Sequence, residues 1–403
     1  MKKYNLFSWA PTFIKFTLSI ALFLVAIDLM SFSVGVLGQD AARRLIVDSN
    51  PFIGFFIGLL ATALMQSSSI VSAMTVAIVA SGALPLTSAV PIVLGANIGT
   101  TLTSTLVALG FIGNRNLFRK AISGATIHDF FNIVTAAIVF PLEYYFGFLS
   151  KFCFALVRLT GLSTGDVPNN GQNFTYGFSK VSGFFAQVLP NNFFAVIISL
   201  ILLYISVKIL SRVIYTRLIG SSKDKLQKYI FANPFKSFGW GIVITSGVQS
   251  SSITSSLIVP LVASGKIQLK HAFPFIMGAN IGTTITALIA AINRSDAALS
   301  LAFVHLIFNL IGVLIFLPWP AIRRVPVWMA YKFGLLTLDS RVIGLSYILF
   351  TFFLLPFTLI YVGQQSKKDF IKTEEVISNT SPKKELSMLK EDRVSFIKYE
   401  PIR

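Results

Sequence analysis

The chain has 403 residues, of which 54% are hydrophobic and only 12% charged, and its mean hydropathy is +0.74. A soluble globular domain carries about 25% charged residues, so the composition excludes an ordinary water-soluble domain and makes the lipid bilayer the first partner. The net charge of +18 does not point to nucleic acid: the Lys and Arg residues lie mostly between apolar segments and in the tail, the distribution that positive-inside topology produces.

Taken in chain order, the first apolar run covers residues 16–38 with one acid, Asp28. It is long enough to span a bilayer, which takes about 20 residues, and too long for the apolar core of a signal peptide. Asn50-Pro51 then breaks the chain. Two short apolar stretches follow, 52–65 and 67–80, on either side of Gln66-Ser67-Ser68-Ser69. Neither is a full span, so the pair reads as a re-entrant helical hairpin with its tip inside protein, where non-helical backbone is tolerated at membrane depth. Spans at 90–110 and 122–147 complete the unit.

The unit is then written again. A span at 191–212 precedes Asn233-Pro234, and short arms at 235–248 and 250–263 flank Gln249-Ser250-Ser251-Ser252, 183 residues after the first motif. Gly95-Ala96-Asn97-Ile98-Gly99-Thr100-Thr101 recurs letter for letter as Gly278-Ala279-Asn280-Ile281-Gly282-Thr283-Thr284 at the same offset. Ala125-x-x-His128-x-x-x-Asn132 recurs as Ala302-x-x-His305-x-x-x-Asn309 at an offset of 177, so the second connecting loop is six residues shorter. Spans at 272–292 and 298–319 end the second copy, and one more at 341–363 follows.

Arg115, Arg119 and Lys120 after the first hairpin, and Lys208, Arg212, Arg217, Lys223, Lys225 and Lys228 before the second, place those segments in the cytoplasm. Residues 160–179, without Lys or Arg, read as external. Three crossings per copy invert the second relative to the first, as in many secondary transporters. The expected fold is therefore an all-α polytopic membrane protein with two inverted-topology repeats, each with a re-entrant hairpin, plus one extra C-terminal helix. Its parts are 1–150 (first repeat), 151–190 (external connecting loop), 191–320 (second repeat), 321–363 (basic loop and last span) and 364–403 (a tail of disordered composition). Seven crossings from a cytoplasmic N-terminus put that tail outside, whereas its lysines favour the inside.

The motifs suggest ion chemistry. A helix restarting at a break presents free N–H groups and a partial positive charge to an anion. Ser67, Ser68, Ser69 and Ser250, Ser251, Ser252 add hydroxyls, which can donate to an anion or ligate a cation. Gln66 and Gln249 offer neutral amide oxygens of the kind that hard cations prefer. The other reading is that membrane Ser and Gln merely join helices; the duplication speaks against it. The Gly-Ala-Asn-Ile-Gly-Thr-Thr motif reads as an unwound patch in a span, or as a close-packing face. Among the acids, Asp28 is either a coupling acid or a packing residue. Asp129, replaced by Leu306 in the second copy, pairs with His128 or belongs to an ion site. The single cysteine, Cys153, and the three histidines His128, His271 and His305, with no HExxH, argue against an intrachain disulfide, a Cys-based metal site and a zinc hydrolase. No Gly-x-Ser-x-Gly elbow supports a serine hydrolase, so the chain does not read as an enzyme.

The paired Gln-Ser-Ser-Ser motifs, Gly-Ala-Asn-Ile-Gly-Thr, and Phe118-Arg119-Lys120-Ala121-Ile122-Ser123-Gly124-Ala125-Thr126-Ile127-His128-Asp129-Phe130-Phe131-Asn132 resemble the type II sodium-phosphate cotransporters, as does the stretch 320–356. The resemblance implies coupling of sodium entry to uptake of inorganic phosphate by alternating access, with sodium as the co-transported ion and no organic cofactor. It places the two Gln-Ser-Ser-Ser segments at the substrate and sodium sites: the serines for phosphate, and Gln66, Gln249, Asn97, Asn280, Thr283 and Thr286 for sodium. The rival readings are a sodium-coupled carrier of another oxyanion or dicarboxylate, and a phosphate sensor that moves nothing. The short external loop without a disulfide pair, and the absence of a fused regulatory domain, imply a stand-alone permease of a bacterial inner membrane. The sequence leaves stoichiometry and oligomeric state open.

Overall fold

The computed structural model describes residues 10–36, 50–161, 191–218 and 229–363, with the single residues 184, 188 and 365. Every element among them is helical. In chain order these are α1 (Ala10–Val36), α2 (Pro51–Met65), α3 (Ser68–Ala80), α4 (Leu86–Gly99), α5 (Leu102–Leu109), α6 (Arg115–Phe146), α7 (Phe148–Leu159), α8 (Asn192–Leu218), α9 (Pro234–Val248), α10 (Ser251–Ala263), α11 (Leu269–Thr283), α12 (Ile285–Ala291), α13 (Asp296–Phe316), α14 (Pro320–Asp339) and α15 (Val342–Leu349). α15 runs on through a π-helical turn at Phe350–Leu354. Contacts divide the chain after residue 357, and all of these elements belong to the larger, N-terminal unit. Among the described residues, five helical stretches are long and apolar enough to cross a membrane: Leu86–Leu109, Arg115–Phe146, Leu269–Ala291, Asp296–Phe316 and Val342–Gly363.

The same pair of residues, asparagine and proline, starts the first arm in both halves. Asn50 and Asn233 cap α2 and α9, their side chains accepting from the N–H groups of Phe52 (3.0 Å) and Lys236 (2.8 Å). Pro51 and Pro234 occupy the first helical position, where a missing N–H costs nothing. The second arms end at Gly82 and Gly265, both at φ 74°, a left-handed turn that glycine makes without strain.

The first arm of each hairpin packs on the span that follows the hairpin, α2 on α4 and α9 on α11. Glycines set the approach. A Cβ on Gly58 would strike the Ile92 carbonyl, and one on Gly241 the Phe275 carbonyl. Gly95 and Gly278 meet the backbone at Phe55 and Phe238 in the same way. A Cβ on Gly99 would lie 2.8 Å from Thr62 Cβ, and one on Gly282 2.9 Å from Thr245 Cβ. Backbone thus lies directly on backbone, the packing that small residues permit.

The halves interlock: α1 packs on α8, α7 on α13, and α14 on α6. Phe131 of α6 stacks edge-on against Phe273 and Phe316 at 5.7 and 5.6 Å between centroids, joining both halves in one core.

Three local expectations are corrected. The Gly-Ala-Asn-Ile-Gly-Thr-Thr patch is not unwound: Thr100, Thr101 and Thr284 keep right-handed helical dihedrals, and the helix merely tightens, with Thr101 N–H bonded to Ile98 O and Thr284 N–H to Ile281 O. The stretch after residue 320 is the 20-residue helix α14 rather than a basic loop, started by Pro320 and seated on α6 at Gly334, which lies against Ser123 and the Arg119 carbonyl. The span expected from residue 122 begins already at Arg115, so Arg115, Arg119 and Lys120 lie on helix, and α6 has 32 residues against 21 for α13 because it is longer at both ends. The tail and residues 162–183 lie outside the described residues, as does the side chain of Asp28.

Candidate functional site

Each hairpin breaks at its glutamine. Gln66 (φ 54°, ψ 30°) and Gln249 (φ 53°, ψ 27°) are left-handed, each with its N–H bonded to the carbonyl four residues back, Thr62 or Thr245. A glutamine is not a residue that favours this region, so the conformation carries a cost that the packing must hold in place. The next serine restarts the helix. Ser67 Oγ accepts from Ile70 N–H and Ser250 Oγ from Ile253 N–H, both at 3.3 Å. The N-termini of α3 and α10 therefore begin at these two breaks, with positive ends directed there.

The third serine of each motif crosses to the other half. Ser69 Oγ donates to the Gln249 carbonyl (2.9 Å) and lies 2.8 Å from Thr283 Oγ1. Ser252 Oγ donates to the Thr100 carbonyl at 3.4 Å, and Thr100 is the repeat mate of Thr283. One break thus lies within hydrogen-bond reach of the other. Ser67 and Ser250 cap and Ser69 and Ser252 bridge; Ser68 and Ser251, each 2% exposed, have neither task.

Beneath the breaks is a second crosswise network. His128 Nε2 meets Asn280 Oδ1 at 2.6 Å, and Asn280 Nδ2 donates to Asn132 Oδ1 at 2.8 Å. The mates meet with one bond reversed: His305 Nε2 meets Asn97 Oδ1 at 3.2 Å, and Asn309 Nδ2 donates to that same oxygen at 3.1 Å, so Asn97 accepts where Asn280 donates. An amide oxygen has two lone pairs, so both of Asn97's are engaged while Asn280 keeps one. Among the described residues Thr286 Oγ1 is buried without a partner, and so is its mate Thr103 Oγ1. Thr62 Oγ1 and Thr245 Oγ1, one turn before the breaks, form another such pair.

The acids take separate roles. Asp129 does not pair with His128; its Oδ2 accepts from Tyr347 O–H at 2.7 Å, and its buried Oδ1 has no hydrogen-bond partner among the described residues. Glu143 caps α7, accepting from the N–H groups of Leu149 (2.7 Å) and Ser150 (3.1 Å) and from the Ser150 hydroxyl, which is a structural role. His271 lies near the start of α11, where its carbonyl accepts from Ser237.

The sequence profile of the Na+/Pi-cotransporter family matches residues 22–157 and 201–349. The chain belongs to the Na+/Pi-cotransporter family. The two matched blocks contain the two breaks and their crosswise networks. Among curated relatives, this family member is 30% identical to sodium-dependent phosphate transport protein 2A of Ovis aries, over 83% of this chain and 65% of the relative. It is 30% identical to the protein of that name from Rattus norvegicus, over the same shares. It is 28% identical to sodium-dependent phosphate transport protein 2B of Homo sapiens, over 84% of this chain and 63% of the relative. The chain thus spans just under two thirds of the length of these relatives. No solved structure matches it. Family membership and the five long apolar helices make it an integral membrane protein.

Within this family member, sequence reasoning does not find Tyr347 or the tie between each histidine and the opposite asparagine. The repeated spacing of His128–Asn132 and His305–Asn309 is visible; that each set faces the other half's Gly-Ala-Asn motif follows only from the interlocking of α6 with α11 and α13 with α4.

Proposed function

We propose that this protein is a secondary active transporter that couples inward sodium movement to uptake of inorganic phosphate by alternating access. The observation that carries the reading is the Ser69 bridge to Gln249 and Thr283, which puts two serine-capped helix N-termini at one place inside an apolar protein. Two positive helix ends and free hydroxyls favour an anion there, and the sodium-dependent phosphate transport of the relatives supports phosphate as that anion. Ser67, Ser68, Ser69, Ser250, Ser251 and Ser252 bind phosphate, with Ser68 and Ser251 the most available. Sodium takes Gln66 and, in the second half, Gln249, Thr283, Thr286 and the remaining lone pair of Asn280. Asn97, with both lone pairs engaged, holds the scaffold. Asp28 and Asp129 are the acids available for coupling.

The two halves act as inverted repeats, and 51–80 and 234–263 as re-entrant hairpins. The Lys and Arg distribution favours a cytoplasmic N-terminus, and the short loop with no cysteine pair suits a bacterial cell membrane.

Purified protein in proteoliposomes tests the reading. Labelled phosphate accumulates when a sodium gradient is imposed and does not when potassium replaces sodium. Binding without accumulation would make it a sensor. Uptake driven by a proton gradient alone would move the coupling to Asp28 and Asp129. A panel of other oxyanions and dicarboxylates tests the substrate.

A further inference from the structure

The two halves share their local geometry but not their state. His128 Nε2 must donate to Asn280 Oδ1, because the Asn280 amide nitrogen already donates to Asn132. His128 Nδ1 therefore carries the lone pair, and Ser255 Oγ donates to it at 3.3 Å. The mate of Ser255 is Ser72, and the mate of His128 is His305. His305 Nε2 donates to Asn97 Oδ1 by the same logic, since the Asn97 amide nitrogen donates to Val93 O. Yet His305 Nδ1 and Ser72 Oγ are both fully buried and, among the described residues, both without a partner. A donor and an acceptor that would satisfy each other by symmetry are left apart, which a fold does not maintain without a reason.

The same bias runs through the other mated contacts. His128–Asn280 is 2.6 Å against 3.2 Å for His305–Asn97, and Ser69 makes two bonds across where Ser252 makes one long one. Gln249 and Ser250 are each 7% exposed, whereas Gln66 is exposed and Ser67 half-buried. The completed contacts surround the closed break.

We propose that His128–Ser255 and His305–Ser72 are the two positions of one latch, and that the histidines are positioning residues that set which break is open. In the state described here the His128 latch is made and the Gln66 break is open. In the opposite state the His305–Ser72 bond forms, the His128–Ser255 bond separates, and the Gln249 break opens. A conformational equilibrium responds only to contacts that differ between its states, and this exchange supplies one on each side. The inference rests on the alternating-access reading above.

The test uses the full chain in proteoliposomes with Cys153→Ala and a single reporter just before a break, Met65→Cys or its mate Val248→Cys, labelled by a membrane-impermeant maleimide. A neutral hydrogen bond shifts such an equilibrium by about 2- to 10-fold. Ser255→Ala removes a bond of the present state, so labelling at the Val248→Cys position accelerates by about that factor. Ser72→Ala removes a bond of the other state, so labelling there slows by the same factor. The Met65→Cys reporter moves in the opposite sense, and the double variant returns both towards the starting rates, which a merely damaged core does not do. If sodium and phosphate alter labelling in the reporter background but the two serine variants shift it in one direction, or not at all, the latch is wrong while alternating access stands. If sodium and phosphate leave both reporters unchanged in that background, alternating access and the latch fall together.

Discussion

The Gln66 and Gln249 breaks have backbones within a few degrees of each other and identical serine caps, yet one is exposed and the other is buried. The local sequence explains what they share: an asparagine cap, a proline, a left-handed glutamine and a capping serine. What differs lies in the neighbours, since α3 and α10 meet histidine partners that are aligned on one side and not on the other. Local structure here belongs to the repeat, and exposure belongs to the conformation. Equivalent substitutions in the two halves should therefore damage folding equally and damage function unequally.

The largest effect is expected at the backbone contacts. Gly58→Val and Gly241→Val each drive a branched side chain into a carbonyl, at Ile92 or Phe275. Ordinary overpacking costs about 1–3 kcal/mol, and a carbonyl held in two helices has less room to yield. Both variants should lose the monodisperse detergent-extracted peak in size-exclusion chromatography. Survival of one but not the other would break the equivalence of the halves.

Next come the serines with neither a capping nor a bridging task. Ser68→Ala and Ser251→Ala keep the fold but remove a donor to a charged ligand, worth about 1.5–3 kcal/mol. Apparent phosphate affinity in uptake assays should fall about 10- to 150-fold in each, with the two values unequal because the bound anion need not sit on the symmetry axis. Unchanged affinity in both would return the motif to helix packing. Thr286→Val, nearly isosteric, should weaken apparent sodium affinity about 5-fold and leave phosphate affinity at saturating sodium unchanged. Thr103→Val asks whether the first half holds an ion in the same way: an equal shift would mean two mated sodium sites, and no shift would confine that site to the second half. The smallest effect is expected from Ser199→Ala on α8, whose hydroxyl bonds only its own helix, at Val196 O; uptake should be unaltered.

Much of the architecture is legible because the chain repeats itself. The hairpin arms expected at 52–65, 67–80, 235–248 and 250–263 each lie within a residue or two of α2, α3, α9 and α10, since Asn-Pro and Gln-Ser are strong local stop and start signals. The Gly-Ala-Asn patch reads as unwound in the sequence because paired glycines permit either opening or close approach, and the choice depends on what lies opposite. That is the backbone of α2 or α9, which nothing in the motif specifies. The stretch from Pro320 reads as a loop because Arg323, Arg324 and Lys332 interrupt its apolar pattern, whereas Gly334 lets it lie flat on α6 as a helix. The fate of Asn97 and Asn280 is hidden for a similar reason. Their side-chain oxygens are free on paper, and the side chains that engage them, His128, His305 and Asn309, all come from the other half of the chain.

The glycine contacts also have a mechanical consequence. With backbone seated on backbone, α2 cannot slide along α4, nor α9 along α11, without carbonyls colliding. Each first arm and its span form a stiff beam ending at a glutamine break. An arm of 15 residues is about 22 Å long at 1.5 Å per residue, so a tilt of roughly 10° at its base carries the break about 4 Å. That is enough to separate one set of hydrogen bonds and join another. The glycines, binding nothing themselves, act as the rivets that carry a small rotation at the base of each arm in full to its break.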